Sequence, residues 1–400
     1  MDDEKKIAVV SCYFQHNYGS MLQAYATQRV LDKLGYDNET IDICGFSGEI
    51  RKAKLIFFIK AAFTSDILFS KLGRVKTVLA KKLFKKGFVH SLKERDAKFE
   101  EFREKYFRLS SKYASKQELE DQCGKNYSAV LVGSDQLWLP GNIAADYYTL
   151  NFVPDTVNSI AYATSFGQSV LPKDSERRAK TFLCRIRHLS VREESGQKLI
   201  EKLAGRFVPV VCDPTLLFTG DEWMEIQSNE PLVKAPYIFC YFLGNNPLHR
   251  EFAKRLREKT GYKIVALLHL DEFVKADREY ADETPYDIGP SGFLNLVRNA
   301  SYVCTDSFHC TVFSMLYEKV FFTFRRFADN SGSSTNSRLD TLVMRAGLRG
   351  RLLRGDEDIG RCLEEEIDYG IVNRKLAEVR EYSYKYLIAA LEDAGGGTDL

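Results

Sequence analysis

The 400-residue sequence is poor in the features that mark special protein classes. Proline occurs 10 times and tryptophan twice. So little proline beside 44% hydrophobic residues excludes a largely disordered chain. Neither charge sign is in excess, with 57 Lys+Arg against 55 Asp+Glu and a formal charge of +2. That balance argues against a whole-chain nucleic-acid binder. Long hydrophobic runs are missing as well. The longest, Leu55 to Phe63, is broken by Lys60 and is too short to cross a bilayer. No Cys-x-x-Cys occurs among the 9 cysteines, and the Cys and His spacings match no usual zinc pattern. Cys240 and Cys304 lie in apolar, strand-like runs and read as small buried hydrophobes of a reducing compartment. Met1 to Lys6 leads straight into strand-like Ile7–Val10, so no signal peptide is expected.

What is present is an alternation of strand-like and helix-like segments. Lys6–Ser11 reads as a strand. Leu22, Ala26, Val30 and Leu34 then lie near one face of a helix over Ser20–Leu34, which Gly35 ends. Glu39–Ile43 reads as the next strand, and this β-α-β opening predicts a parallel sheet. Strands follow at Tyr127–Val132, Ser159–Ala163, His188–Val191 and Phe207–Cys212, with helices over Lys173–Cys184 and Glu194–Lys202. Residues 213–236 carry Pro214, Gly220, Asn229, Pro231 and Pro236 and read as a boundary. A second alternating series starts at Tyr237. The expected architecture is α/β, with two Rossmann-like domains facing a cleft. The first covers 1–220 and carries a basic helical insert near 50–115. The second covers 221–375, and a helix and tail close the chain over 376–400. Residues 325–337 are polar and rich in Gly, Ser and Asn, which predicts a mobile loop, and 394–397 predicts a frayed tail. From Lys71 to Lys98 there are ten Lys or Arg and only two acids. A solvated helix face explains this; contact with anionic lipid or a partner is the sharper reading.

Five segments at predicted strand ends can carry chemistry, since ligands of such sheets sit beyond the carboxyl ends of strands. Phe14–Gln23 joins the first strand to the first helix. Gly19 permits a tight loop there, Ser20 is the expected N-cap, and the helix start offers N–H groups to an anion. Taken alone, the segment is better read as an ordinary β-α turn. In Val132–Trp138, Asp135 and Gln136 can bind sugar hydroxyls, and Trp138 either stacks on a sugar or fills the core. Ala161–Gly167 places Ser165 at a strand exit. Arg192, just past a strand, is suited to a bidentate phosphate or carboxylate, or to a surface ion pair with Glu193 or Glu194. Asp213 reads as a turn residue. In Thr305–Ser314, His309 sits near a helix start beside Asp306, Ser307 and Thr311, where it can act as acid, base or anion ligand. A Ser-His-Asp hydrolase stays open from these residues, although Gly-x-Ser-x-Gly is absent.

Taken together, Asn17–Tyr25, Gly133–Pro140, Ala163–Gly167, Val191–Gly196, Asp213–Leu217 and Thr305–His309 resemble the polysaccharide pyruvyl transferase family, in its order and over most of the chain. Leu139 stands where the family often has Asn, and Cys310 where it often has Gly. The resemblance implies a glycosyltransferase-B-like fold and a cytoplasmic reaction at or near the inner face of the membrane. Pyruvate would pass from phosphoenolpyruvate to a galactose or hexosamine, free or lipid-linked, as a cyclic ketal. The catalytic set it implies is His309, Arg192 and Asp306. Gly19, Ser20, Ser165, Ser307, Arg192 and His309 would hold the donor. Asp135, Gln136 and Trp138 would face the acceptor. No cofactor, metal or nucleic acid is expected. Replacing Arg192 is expected to cost turnover and not folding. The rival readings are a nucleotide-sugar glycosyltransferase and a non-catalytic glycan-binding protein.

Overall fold

The structure, a computed structural model, describes residues 5–64, 86–269, 274, 277, 280–327 and 336–393. Two five-stranded, wholly parallel sheets organise it. The first has β1 (Lys6–Val10), β2 (Asn38–Thr40), β3 (Tyr127–Val132), β4 (Asn158–Thr164) and β5 (His188–Val191), in the order β2-β1-β3-β4-β5. The second has β6 (Tyr237–Tyr241), β7 (Lys263–Leu267), β8 (Tyr302–Thr305), β9 (Val320–Phe324) and β10 (Leu352–Leu353), in the order β10-β9-β8-β6-β7. Strands buried on both faces need near-continuous apolar runs, which β1 and β3 supply with Ile7–Val10 and Ala129–Val132. Each order reverses direction once, between β1 and β3 and between β6 and β8. Loops leaving those neighbours diverge, and the crevice between them is where such sheets take ligands.

The helices are α1 (Tyr18–Lys33), α2 (Ser47–Thr64), α3 (Lys86–Tyr106), α4 (Lys116–Asn126), α5 (Pro140–Ala145), α6 (Lys173–Arg185) and α7 (Glu194–Ala204) in the first half. In the second half come α8 (Pro247–Thr260), α9 (Pro290–Asn299), α10 (Phe308–Leu316), α11 (Ser337–Ala346), α12 (Ile359–Glu364) and α13 (Tyr369–Glu392). The halves share one hydrophobic core across α1, α9 and α10. Tyr18 stacks on Phe293 at 4.8 Å and donates to the Ile288 carbonyl at 2.8 Å. The last helix returns to the first sheet: Tyr386 donates to the Ala161 carbonyl, and the Ser383 hydroxyl accepts from the Cys212 N–H.

Two expectations change, and others fall partly or wholly outside the described residues. Asn17, not Ser20, caps α1; its side chain accepts from the Ser20 N–H. Phe207–Cys212 is no strand, because Pro209 has no N–H to give; it meets β5 at a single bridge, Val191 to Val210. Of the basic stretch, residues 71–85 lie outside the described residues. Its described part shows no uniform basic face, since Arg95 is fully buried and donates to the Leu268 carbonyl, while Lys98 pairs with Glu101. The tail 394–397 and most of the 325–337 loop also lie outside the described residues.

Candidate active site

Asp213 stands at the centre of a buried charged cluster. It follows the extended 207–212 segment and starts a 3-10 turn, Pro214–Leu217. Its Oδ1 accepts from the Thr215 N–H (3.0 Å) and hydroxyl (2.7 Å). Its Oδ2 accepts from Arg192 Nη1 (2.7 Å) and from the Ser134 hydroxyl (2.8 Å). His309 Nε2 lies 3.4 Å from the same oxygen. Burial alone pushes this carboxyl up. His309, Arg192 and the Thr215 bonds outweigh that and hold it far below the usual carboxylate range.

Arg192 leaves β5 with its guanidinium over the Phe308 ring, 4.4 Å from the centroid. Its Nη2 is 3.7 Å from Asp135 Oδ1, and both Nε and Nη2 are buried without a hydrogen-bond partner. Burial disfavours its charge, but Asp213, Asp135 and Glu193 overcome this and raise its pKa. Asp135 takes a left-handed backbone, φ 79°, a conformation Asp tolerates through local hydrogen bonds. The Ser20 hydroxyl donates to its Oδ2 at 2.6 Å, and the Gln136 N–H to its Oδ1 at 2.8 Å. Burial raises this carboxyl as well; Arg192, His309 and Ser20 outweigh it, so Asp135 titrates below its ordinary value.

Arg338, on α11 of the second half, completes the cluster. It is buried, its Nε has no partner, and burial together with the like charge of Arg192 pushes it down to about 9. Glu193 feels the charge of both cations. Its Oε1 accepts from the Ser165 hydroxyl at 2.8 Å, its Oε2 has no partner, and burial raises its pKa against the pull of Arg192.

The second half brings His309 through the N-terminal turn of α10. Its ring lies against the Gly19 Cα so closely that a Cβ on Gly19 would overlap the imidazole. Glycine is therefore required at 19 by contact with the other half, since its backbone conformation is plain helix.

The structure brings Gly19, Ser20, Asp135, Arg192 and His309 together, and it removes others from direct ligand contact. Trp138 is core: fully buried, it packs on Phe166 and Phe182 and donates to the Tyr148 carbonyl, so it cannot stack on a sugar. Ser307 caps α10, accepting from the Cys310 N–H. Asp306 turns to the loop after β6, where the Leu243 and Gly244 N–H groups donate to it. Burial raises its pKa, but Arg326 and His249 and those bonds bring it to about 2, which makes it a fixed anion and not a proton donor. Ser165 is buried and orients Glu193. Gln136 is half-buried beside Gly167. Sequence reasoning missed Asp213 as a centre, and missed Arg338 and Ser134. The Asp-Pro-Thr turn was a usable signal for the first. Nothing local marks Arg338.

Beside the cluster, α7 and α11 border a cavity of about 710 Å³. The Ser195 and Ser337 hydroxyls meet in it at 3.1 Å, joining the two halves. Such a volume suits a saccharide or other small ligand. Among the described residues no cluster of three or more His, Cys, Asp or Glu is arranged to hold a metal ion.

A family model described as polysaccharide pyruvyl transferase matches residues 17–326. No curated relative matches the chain. Among solved structures, the chain is similar to a putative UDP-N-acetylglucosamine 2-epimerase from Listeria monocytogenes, with 10% identity, 99% of this chain and 98% of that chain covered, and a TM-score of 0.54. A UDP-GlcNAc 2-epimerase from Neisseria meningitidis, bound to UDP-GlcNAc, shows 11% identity, 94% and 100% coverage and a TM-score of 0.46. At these identities the Listeria likeness speaks for the fold alone: two α/β domains of the glycosyltransferase-B kind.

Proposed function

The chain belongs to the polysaccharide pyruvyl transferase family, and from that premise we propose that it moves the pyruvyl group of phosphoenolpyruvate onto a saccharide as a cyclic ketal. One observation carries the donor assignment. Arg192 and Arg338 are two buried guanidiniums, one from each half, and both keep unpartnered N–H groups. A phosphate and a carboxylate on one small molecule meet that need. Gly19 and Ser20 open α1 at the same crevice. Asp135 and Gln136 face the acceptor side, and the cavity between α7 and α11 receives the saccharide.

The chemistry balances as follows. A proton adds to C3 of the donor, C2 becomes electrophilic, and a sugar hydroxyl forms the first C–O bond. Phosphate then leaves C2, and a second hydroxyl closes the ketal. Of the two hydroxyl protons, one replaces that given to C3 and one departs with phosphate. His309, supported by Asp213, is assigned the hydroxyl protons. Glu193, whose buried carboxyl is pushed upward while Asp213 and Asp135 are held down, is assigned the C3 proton. This scheme needs no metal, because phosphate is displaced from carbon and not attacked at phosphorus. The proposed reaction belongs in the cytoplasm, where phosphoenolpyruvate is made.

Phosphate release from phosphoenolpyruvate, with galactosyl and hexosaminyl acceptors and mass spectrometry of the products, tests the reading. Acceptor-dependent release with a pyruvyl-ketal product is the expected result. Calorimetry that finds no phosphoenolpyruvate binding, but tight binding of a nucleoside diphosphate, overturns it in favour of a sugar-nucleotide transferase. A second expectation concerns Gly19→Ala. The new methyl displaces the His309 ring, and a shift on the order of 1 Å in a catalytic group costs roughly 100-fold in rate. Alanine also favours helix by about 1 kcal/mol over glycine, so α1 persists. Turnover falls while the circular dichroism is unchanged; a wild-type rate removes the His309–Gly19 contact from the mechanism.

A further inference from the structure

Helix α2 shows its apolar residues to solvent. Its inner side, with Ile50 buried and Phe57 and Phe58 both turned toward Gly141 of α5, packs on the first half. Its outer side carries Leu55 (60% exposed), Ile56 (44%) and Ile59 (49%). Single exposed apolar residues are ordinary on protein surfaces, but three large ones on adjacent turns are not. Cations frame them. Arg51 and Lys52 precede the patch and Lys60 follows it, all exposed, while Glu49 is the helix's only acid.

An apolar strip bordered by Lys and Arg is the pattern of a helix that lies in the interface of an anionic bilayer. The apolar side chains enter the acyl boundary and the cations meet lipid phosphates. We propose that the outer face of α2 docks this protein on the surface of a membrane containing anionic phospholipid. This differs from the expectation drawn from the basic stretch 71–98, in whose described part Arg95 is buried and Lys98 pairs with Glu101. The proposal stands on exposure and charge, and does not rest on the reaction proposed above. Its consequence for that reaction is access to an acceptor carried on a lipid.

Sedimentation of the intact protein with vesicles tests it. The wild type is expected to pellet with vesicles of phosphatidylcholine and phosphatidylglycerol, less with phosphatidylcholine alone, and less in high salt. Leu55→Ser/Ile56→Ser/Ile59→Ser is expected to lower vesicle affinity roughly tenfold or more, with an unchanged phosphate-release rate on a soluble acceptor. Arg51→Glu/Lys52→Glu is expected to lose only the preference for anionic lipid, and it decides the matter if the triple variant misfolds. Wild-type protein that stays in solution with both vesicles overturns the proposal. So does a triple variant that still pellets, and so does a wild-type dimer that the triple variant converts to monomer without any vesicle binding.

Discussion

Replacing Arg338 with glutamine abolishes donor binding and leaves the protein more stable than the wild type. Arg338 is buried beside Arg192, with its Nε unpartnered and its pKa brought down to about 9 by burial and the neighbouring charge. A buried charge of this kind costs the fold on the order of a few kcal/mol. A neutral side chain of similar length removes that cost, so the midpoint of thermal unfolding rises by at least about 2 °C. The same change removes half of the proposed anion clamp, and calorimetry with phosphoenolpyruvate then shows affinity reduced at least about 100-fold. The pH dependence has a definite sign. Arg338 in the folded chain lies below its ordinary 12.5, so the penalty is full below about 9 and is relieved as pH rises through that value. The stability gap between wild type and variant therefore narrows above pH 9. A lower unfolding midpoint for the variant would show that Arg338 has a structural partner, and undiminished donor binding would take it out of the site.

Arg192 is a poorer probe, against what its sequence position suggests. It neutralises Asp213, which is wholly buried, and removing one partner of a buried pair costs about 3–5 kcal/mol. Arg192→Ala is thus expected to lose folding together with function.

The second large effect is on rate. In His309→Ala, kcat for phosphate release falls by about 10² to 10⁴, while the affinity for phosphoenolpyruvate stays within a few-fold of the wild type. The reason is the geometry around Nε2. It has no hydrogen-bond partner and lies 3.4 Å from Asp213 Oδ2, free to exchange a proton with a substrate hydroxyl beside a fixed anion. The fold survives, because Asp213 keeps its hydrogen bonds from Arg192, Ser134 and Thr215 when the ring is removed. Loss of donor affinity with kcat preserved would make His309 a phosphate ligand and not a proton carrier. Asp213→Asn separates the same roles from the other side, by lowering kcat in parallel with His309→Ala.

Much of the architecture was legible locally. Short strand-like runs between turn signals mark β1 and β3 to β5 almost residue for residue, because strands buried on both faces leave little choice of side chain. The exceptions are local too. β10 is two residues long and α12 six, below the length at which a period is visible, and Pro209 breaks an otherwise strand-like run. Gly19, Ser20, Asp135, Arg192 and His309 were recognisable as small, polar or charged residues at strand exits.

By itself the sequence determined the two alternating β-α series, their parallel sheets, the family, and the loops at which chemistry would gather. Only the tertiary structure decided which side chains in those loops meet. Trp138 has the same local context whether it faces sugar or core, and packing on Phe166 and Phe182 settled it. Arg338 looks, in sequence, like any arginine on a helix. Its lack of a partner and its depressed pKa exist because the second half sets it beside Arg192 of the first. The electrostatic energy of a charge depends on burial and on neighbours far away in the chain, and neither is a property of a local sequence pattern.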